Sequence, residues 1–323
     1  MQRVSNVTSH EQKPSKPLLL SKGLVGASRT GRNAPRCLLF QRLFMTCASE
    51  LLWQSNSAVI EQALQTSWLR ELAQGTLSES NLASFLSVDT EFLAGYWRCL
   101  GLLCFTAETG WEHQVLAELS HAIAAERGSV SAQEQVAAKH GAQQLVAAAA
   151  APTATATRSV SSTNRQNSAP ALHKVCQGYL RLLMRHSRGL LEELIHASGA
   201  FHEEQGGIAP VEASWRRARL LLVAAMVPCM SLYAFIGRKL SVHIQAADDH
   251  DPRKSARATW VATYSSPKFQ ELAESFELLL DLYAEQWCSA TSETLERLVQ
   301  QLNEIAYAPA MQFEMQLFAE ACP

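Results

Sequence analysis

The sequence lacks the short motifs that mark several large classes of enzyme. It contains neither GxxxxGK[ST] nor GxGxxG, which excludes P-loop and Rossmann nucleotide-binding proteins at the motif level. None of its eight cysteines forms a CxxC pair, so neither a zinc ribbon nor a thioredoxin-type redox site is indicated. A formal net charge of −2 argues against a dedicated nucleic-acid-binding protein. With 47% hydrophobic and 18% charged residues, the chain can bury a sizeable core.

The net charge of the whole chain is near zero, but charge is unevenly distributed along the sequence. Residues 1–49 contain eight Lys or Arg and one acid, net +7, so the rest contains 20 basic and 29 acidic residues, net −9. A basic, serine-containing segment almost free of acids is typical of an organellar transit peptide, and no apolar stretch of a secretory signal follows. We therefore expect residues 1–47 to be a disordered basic segment that directs the chain to a chloroplast or mitochondrion. Without that role, the chain is expected in the cytoplasm.

Apolar residues recur at spacings near 3 and 4 from about residue 48, which predicts amphipathic helices. A first helix is predicted to run to Leu72, with Gly75 as its C-terminal cap, and a second to start near Ser78. No stretch alternates apolar and polar residues convincingly, so strands are not expected. The prediction is an all-α single domain over 48–323, with insertions near 145–169 and 198–212.

The most apolar stretch, residues 220–237, approaches the length of a membrane span. We predict instead that it is the central helix of a bundle, because it contains Pro228 and a few polar groups and stands alone. Pro228 bends a helix, which places Cys229 at the bend, and Tyr233 lies one turn further on the same face. A thiol beside an aromatic hydroxyl at this bend indicates either a functional site or ordinary packing in the core.

Four segments, taken in order, resemble the TenA, or thiaminase II, family. They are SWLRELAQGTLSESNLASFLSVDTEFLAGYWR (67–98), MVPCMSLYAFIGRKL (226–240), TWVATYSSPKFQELAESF (259–276) and AMQFEMQLFAEA (310–321). The resemblance implies a haem-oxygenase-like helical bundle without haem. It also implies hydrolysis of thiamin or of aminopyrimidine to hydroxymethylpyrimidine, with no cofactor. The implied partners are a small pyrimidine substrate and further copies of the chain, as a dimer or tetramer, with no nucleic acid and no membrane.

The resemblance also assigns site residues. By this match Cys229 is the nucleophile and Glu314 the catalytic glutamate. The residues implied to bind the pyrimidine are Asp89, Phe92, Tyr233 and Tyr264. Each has a plainer interpretation: Asp89 as a helix cap or surface ion pair, Cys229 as a buried thiol, Glu314 on a solvated helix face, and the three aromatic residues as core.

One segment departs from the family pattern. In PALHKVCQGYL (170–180) the position of a family tyrosine falls on Val175 or Cys176, so a ring contact is either missing or supplied by a residue such as Tyr179. The last tryptophan of the family corresponds to Phe318. These changes leave the substrate open.

Three other functions compete with this one. A haem oxygenase needs a histidine on its opening helix, and none of the ten histidines falls in 48–112. A metal enzyme could use His196 with 202–204, or His243 with 248–251, although both groups read as solvated loops. A non-catalytic bundle that binds a pyrimidine or a partner is the third alternative.

Overall fold

The computed structural model describes residues 47–128, 168–200, 208–244 and 252–322. These ranges are helical and contain no strand, which confirms the all-α prediction. Residues 1–46 and most of the two predicted insertions lie outside the described residues, but 168–169, 198–200 and 208–212, at the edges of those insertions, are helical. The helices are α1 Ala48–Ser55, α2 Ser57–Leu64, α3 Ser67–Gln74, α4 Glu79–Phe105, α5 110–128, α6 Ser168–Ala200, α7 Ile208–Ile244, α8 Pro252–Ser265, α9 Pro267–Thr291, α10 Leu295–Leu302 and, after a π-helical turn at Asn303–Tyr307, α11 Ala308–Glu320.

The predicted first helix is wrong in one respect, because it is divided into α1, α2 and α3. The Asn56 amide donates to the Leu52 carbonyl at 2.8 Å, and the Thr66 hydroxyl donates to the Ala63 carbonyl at 2.8 Å. Such side-chain bonds compete with the helical backbone bonds and favour a break. Both predicted boundaries are confirmed: Gly75 ends α3 at φ +71°, and Ser78 caps α4 by accepting from the Asn81 amide.

Helix α7 forms the centre of the bundle. Its stretch Ser214–Val242 is long and apolar enough to cross a membrane, but 89% of the most apolar window is buried inside the protein. Helices α6, α8, α9 and α11 pack around it. A helix apolar on all sides is accommodated in this way when its neighbours cover every face.

Pro228 lies inside α7, in the turn that carries Cys229. A proline cannot donate to the carbonyl four residues earlier, and it disturbs the helix around that turn. Nearby, the Ala225 carbonyl accepts a hydrogen bond from Tyr179 and the Met226 carbonyl accepts one from Tyr96, each at 3.1 Å. These two bonds attach α6 and α4 to α7 beside Cys229.

Two contacts position α8. The Arg257 guanidinium donates to the carbonyls of Gly75 and Leu77, in the connection between α3 and α4. At the other end of α8, the Tyr264 backbone approaches Gly237 so closely that a Cβ on the glycine would lie 2.4 Å from the Tyr264 carbonyl carbon. Helix α8 is therefore held against both α7 and the connection between α3 and α4.

A buried ionic cluster lies where α5 begins. Arg219 of α7, 1% exposed, donates to the Thr106 carbonyl at 2.8 Å and lies 3.5 Å from Glu112, which is fully buried. The Tyr283 hydroxyl also donates to Glu112, at 3.1 Å, and its ring lies under the guanidinium. This cluster joins α5, α7 and α9.

Candidate active site

The structure brings all six predicted site residues into the interior of the bundle, from four different helices. Each is at most 8% exposed. Helix α4 supplies Asp89 and Phe92, α7 supplies Cys229 and Tyr233, α8 supplies Tyr264, and α11 supplies Glu314. The carboxyl groups of Asp89 and Glu314 both act on the pKa of Cys229, so these three groups share one site.

Glu314 is the most deeply buried of these groups, with no exposed surface. Neither of its carboxyl oxygens has a hydrogen-bond partner among the described residues. Burial raises its pKa to about 8, although the neighbouring Cys229 thiol and Tyr179 hydroxyl act in the opposite direction. Glu314 is thus mainly protonated at neutral pH and can donate a proton.

Cys229 is a protonated thiol in this environment. Burial raises its pKa well above the usual value, and the nearby carboxyls of Glu314 and Asp89 raise it further. A thiol becomes a strong nucleophile only as the thiolate, so its use requires a base that takes the proton as the sulfur reacts. Glu314 is the carboxyl with the largest effect on this thiol.

Asp89 is the third buried group of the site. It is 7% exposed, and one of its oxygens has no hydrogen-bond partner within the described part of the chain. Burial raises its pKa well above the ordinary value, and the charges of Glu126 and Glu314 add to the shift. A buried carboxyl with an unused oxygen can bind an amino group or a protonated ring nitrogen.

Glu126, on α5, is a site residue that the sequence interpretation missed. The Tyr264 hydroxyl donates a hydrogen bond to its carboxyl. Part of the side chain is accessible, but its carboxyl faces the interior, where burial raises its pKa to about 7 against the lowering effect of Tyr264. The buried residues Ile123 and Leu119 lie one and two turns before it, respectively, on the same helix face. This spacing in the sequence could have predicted that Glu126 faces the interior.

Aromatic rings enclose the site in two groups. In the first, the Tyr233 ring lies 4.8 Å from Tyr264 and 5.4 Å from Phe318, between ring centroids. In the second, Phe92 lies 4.8 Å from Tyr179 and 5.8 Å from Tyr96. Aromatic rings of this kind can stack on a flat ligand.

The structure explains the departure in segment 170–180. Cys176 is fully buried, and burial raises its pKa to about 12, with smaller effects of nearby carboxyl groups that include Asp89 and Glu314. Val175 lines a groove on the outer surface. Tyr179 supplies a ring and a hydroxyl to the site, because its hydroxyl affects the pKa of Glu314 and its ring packs on Phe92. An aromatic residue therefore reaches this part of the site one turn after Cys176.

No group of three or more metal-ligating side chains occurs among the described residues. Both candidate metal groups in the sequence depend on residues outside the described ranges, 202–204 in one and 248–251 in the other. The part of the chain that the structure describes thus offers carboxyl, thiol and phenol groups for chemistry.

Comparisons with known proteins address the fold. The chain superimposes on a TenA family transcription regulator from Silicibacter sp. TM1040 with a TM-score of 0.52, at 19% identity, over 85% of this chain and 97% of the other. It superimposes on the TenA homologue of P. horikoshii OT3 with a TM-score of 0.51, at 15% identity, over 85% and 98%. The chain has the TenA fold. The predicted haem-oxygenase-like bundle is confirmed.

Sequence comparison matches a smaller part of the chain than the structural superpositions do. No family model matches it. A 96-residue stretch is 33% identical to the bifunctional TH2 protein, mitochondrial, of Arabidopsis thaliana. That stretch covers 30% of this chain and 14% of the relative, so the comparison spans about a seventh of the relative's length.

Proposed function

We propose that the chain is a hydrolase of thiamin salvage that converts aminopyrimidine or thiamin into hydroxymethylpyrimidine. The observation that carries the proposal is the burial of Cys229, Glu314 and Asp89 in the same interior as two groups of aromatic rings. The TenA fold and the TH2 relative support the same role. The reaction needs no cofactor, because thiol and carboxyl groups suffice.

In the proposed complex, the aminopyrimidine ring stacks on Phe92 and the site tyrosines. The Asp89 carboxyl accepts a hydrogen bond from the ring amino group, which uses the oxygen that has no protein partner. The hydroxyls of Tyr233 and Tyr264 offer further hydrogen bonds to the polar edge of the pyrimidine ring. Binding energy thus holds the ring in a fixed orientation next to the Cys229 sulfur.

The proposed reaction begins with addition of the thiol across a ring C=N bond. Protonated Glu314 gives its proton to the ring nitrogen and then takes the thiol proton, while the sulfur forms a bond to ring carbon. The electrons of this adduct expel the leaving group from the exocyclic methylene. Water then adds to that methylene, Cys229 leaves the ring, and its proton returns. The net change is that OH joins the methylene, while the remaining hydrogen of water joins the leaving amine or, when neutral thiazole leaves from thiamin, is released as a proton.

A hydrolysis assay with matched variants tests this function. Purified protein is offered thiamin and the aminomethyl pyrimidine in turn, and hydroxymethylpyrimidine is quantified. We expect Cys229→Ser to lose at least about a hundredfold in kcat, because the serine hydroxyl is a far weaker nucleophile. Cys104→Ser, on the outer part of α4, is the control and should retain full activity. A Cys229→Ser variant as active as wild type would disprove the nucleophile.

The same site also supports a second candidate, a non-catalytic pyrimidine-binding protein. The observation in its favour is the protonated state of Cys229, whose pKa burial raises well above the usual value. Binding of hydroxymethylpyrimidine without any turnover of either substrate would establish this alternative.

The proposal extends to assembly and location. Large apolar side chains are exposed on α4 and α6, among them Trp97, Phe105 and Ile195, which supports self-association as a dimer or tetramer. Sedimentation that shows only monomers would refute it. The relative is named as mitochondrial, in line with the transit-peptide-like composition of residues 1–47. A fluorescent fusion that stays in the cytosol would refute organellar targeting.

A further inference from the structure

The carboxyl groups of the site fall at two ends. Tyr233 lies one turn after Cys229 on α7, and its ring centroid lies 4.8 Å from that of Tyr264, whose hydroxyl donates to Glu126. Burial raises the pKa of the Cys229 thiol, and Glu314 adds the largest effect among the carboxyl groups. The site therefore has a thiol end, with Cys229 and Glu314, and a second end, with Glu126 and Tyr264.

The mechanism described above leaves the second end unused. Addition of the thiol and proton transfer involve Cys229 and Glu314, and ring binding involves Asp89. Glu126 nevertheless presents a carboxyl to the interior, held by the Tyr264 hydroxyl. Tyr264 in turn is fixed by Gln270, whose amide donates to its carbonyl at 2.6 Å and to the Ala234 carbonyl at 3.0 Å. Tyr264 and Gln270 therefore fix the position of the Glu126 carboxyl.

The acidic groups of the site have no basic partner in the described part of the chain. Among the described residues, no Lys, Arg or His contributes to the pKa shift of Asp89, Glu126 or Glu314. Both oxygens of Glu314 and one of Asp89 are buried without a hydrogen-bond partner in those ranges, and both side chains are more than nine-tenths buried. Buried carboxyl groups of this kind are stabilised by a bound cation or by donors on a ligand.

We propose that Glu126, oriented by Tyr264, binds the positively charged leaving group of the substrate and so makes the site select pyrimidines with a cationic substituent on the methylene. This inference rests on the proposed function. The amine of the aminomethyl pyrimidine is protonated at neutral pH, and the thiazolium of thiamin is a permanent cation, so both carry the charge that the carboxyl would bind. The product, hydroxymethylpyrimidine, is neutral. Loss of the charge on hydrolysis would therefore weaken binding at this end and favour product release.

Binding measured by calorimetry tests this assignment. All proteins carry Cys229→Ser so that no turnover occurs, and each is titrated with the aminomethyl and the hydroxymethyl pyrimidine. We expect Glu126→Gln to weaken binding of the cationic ligand about tenfold or more, since hydrogen bonds to charged groups are the stronger ones, and to change the neutral ligand by less than about threefold. Asp89→Asn should weaken both. Glu118→Gln is the matched control on α5, because Glu118 pairs with Lys268 at the surface.

The outcomes separate the two proposals. Equal losses for both ligands, or no loss for either, would overturn the role of Glu126 while leaving the pyrimidine site intact. If the parent protein binds neither ligand, the proposed function fails and the selectivity inference fails with it. Thermal unfolding of Glu126→Gln without ligand checks that any loss reflects binding and not folding.

Discussion

Buried ionisable side chains are stabilised in two different ways in the described part of this chain. Arg219 and Glu112 lie near the start of α5 and satisfy each other, with Thr106 and Tyr283 as further partners. The carboxyls of Asp89 and Glu314 have no cationic partner among the described residues, and burial raises the pKa of both, that of Glu314 to about 8. The first arrangement stabilises the junction of three helices. The second keeps proton donors available where a ligand would bind.

This difference predicts a large effect of Arg219→Ala on stability. The variant would leave Glu112 fully buried without its counter-charge, and breaking a buried pair in this way costs about 3–5 kcal/mol. Arg188→Ala is the control, because Arg188 forms an exposed pair with Glu192 four residues on, worth at most about 0.5 kcal/mol. Urea unfolding followed by circular dichroism measures both. Similar losses in the two variants would show that the cluster contributes little.

At this scale, the resemblance to family segments predicted site residues that lie inside those segments but not one that lies outside them. The resemblance named Asp89 and Glu314, and the structure buries both. Glu126 joins the site through α5, in a segment without a recognised motif. Glu126 depends on how the helices pack, which a local pattern does not determine. Tyr179, named from the sequence as one possible source of the missing ring contact, packs on Phe92 from the next turn of α6.

Among the elements, the contact between α7 and α8 sets the position of Tyr264. Gly237 lies against the Tyr264–Ser265 peptide, where a Cβ would come within 2.4–2.7 Å of backbone atoms. Backbone atoms cannot rotate away as a flexible side chain can. A larger residue at this position must therefore move the end of α8, which carries a site tyrosine.

We predict that Gly237→Ala destabilises the protein by about 1–3 kcal/mol, as overpacking does, and weakens pyrimidine binding by displacing Tyr264. Gly189→Ala in α6 is the matched control, because nothing lies within 4 Å of its added Cβ. Alanine there should be neutral or add about 0.5–1 kcal/mol through helix propensity. Thermal unfolding and calorimetric titration with hydroxymethylpyrimidine report the two effects. If Gly237→Ala matches wild type in both thermal unfolding and pyrimidine binding, a shift of α8 affects neither stability nor the site.

Helix boundaries show what local sequence determines. Gly75 and Ser78 were predicted correctly because a left-handed cap and a serine N-cap depend only on neighbouring residues. The breaks near Asn56 and Thr66 were not predicted. Asn56 also donates to Asn303, at 2.7 Å, which is distant in sequence. Apolar periodicity continued through both breaks, so it predicted one helix where the packed structure has three.

For the molecule as a whole, the site lowers stability as pH rises. A carboxyl whose pKa is higher in the folded state than in the unfolded state binds more protons when folded. The free energy of unfolding therefore falls with increasing pH between those two values. For Glu314 the interval runs from its ordinary value of 4.5 to about 8. Burial raises the pKa of Asp89 and Glu126 in the same direction.

The final prediction is that Glu314→Gln stabilises the ligand-free protein at high pH. Glutamine stays neutral, so the variant avoids the cost of ionising a buried carboxyl, roughly 3–5 kcal/mol from the size of the pKa shift. The gain should be present at pH 9, shrink near pH 7 and vanish below about pH 4.5. Glu192→Gln, at an exposed position, is the control and should not alter the pH dependence. Urea unfolding at pH 5, 7 and 9 measures the three proteins. A stability difference that is constant with pH would mean that Glu314 does not titrate between those limits, which would also remove it as the proton donor of the proposed reaction.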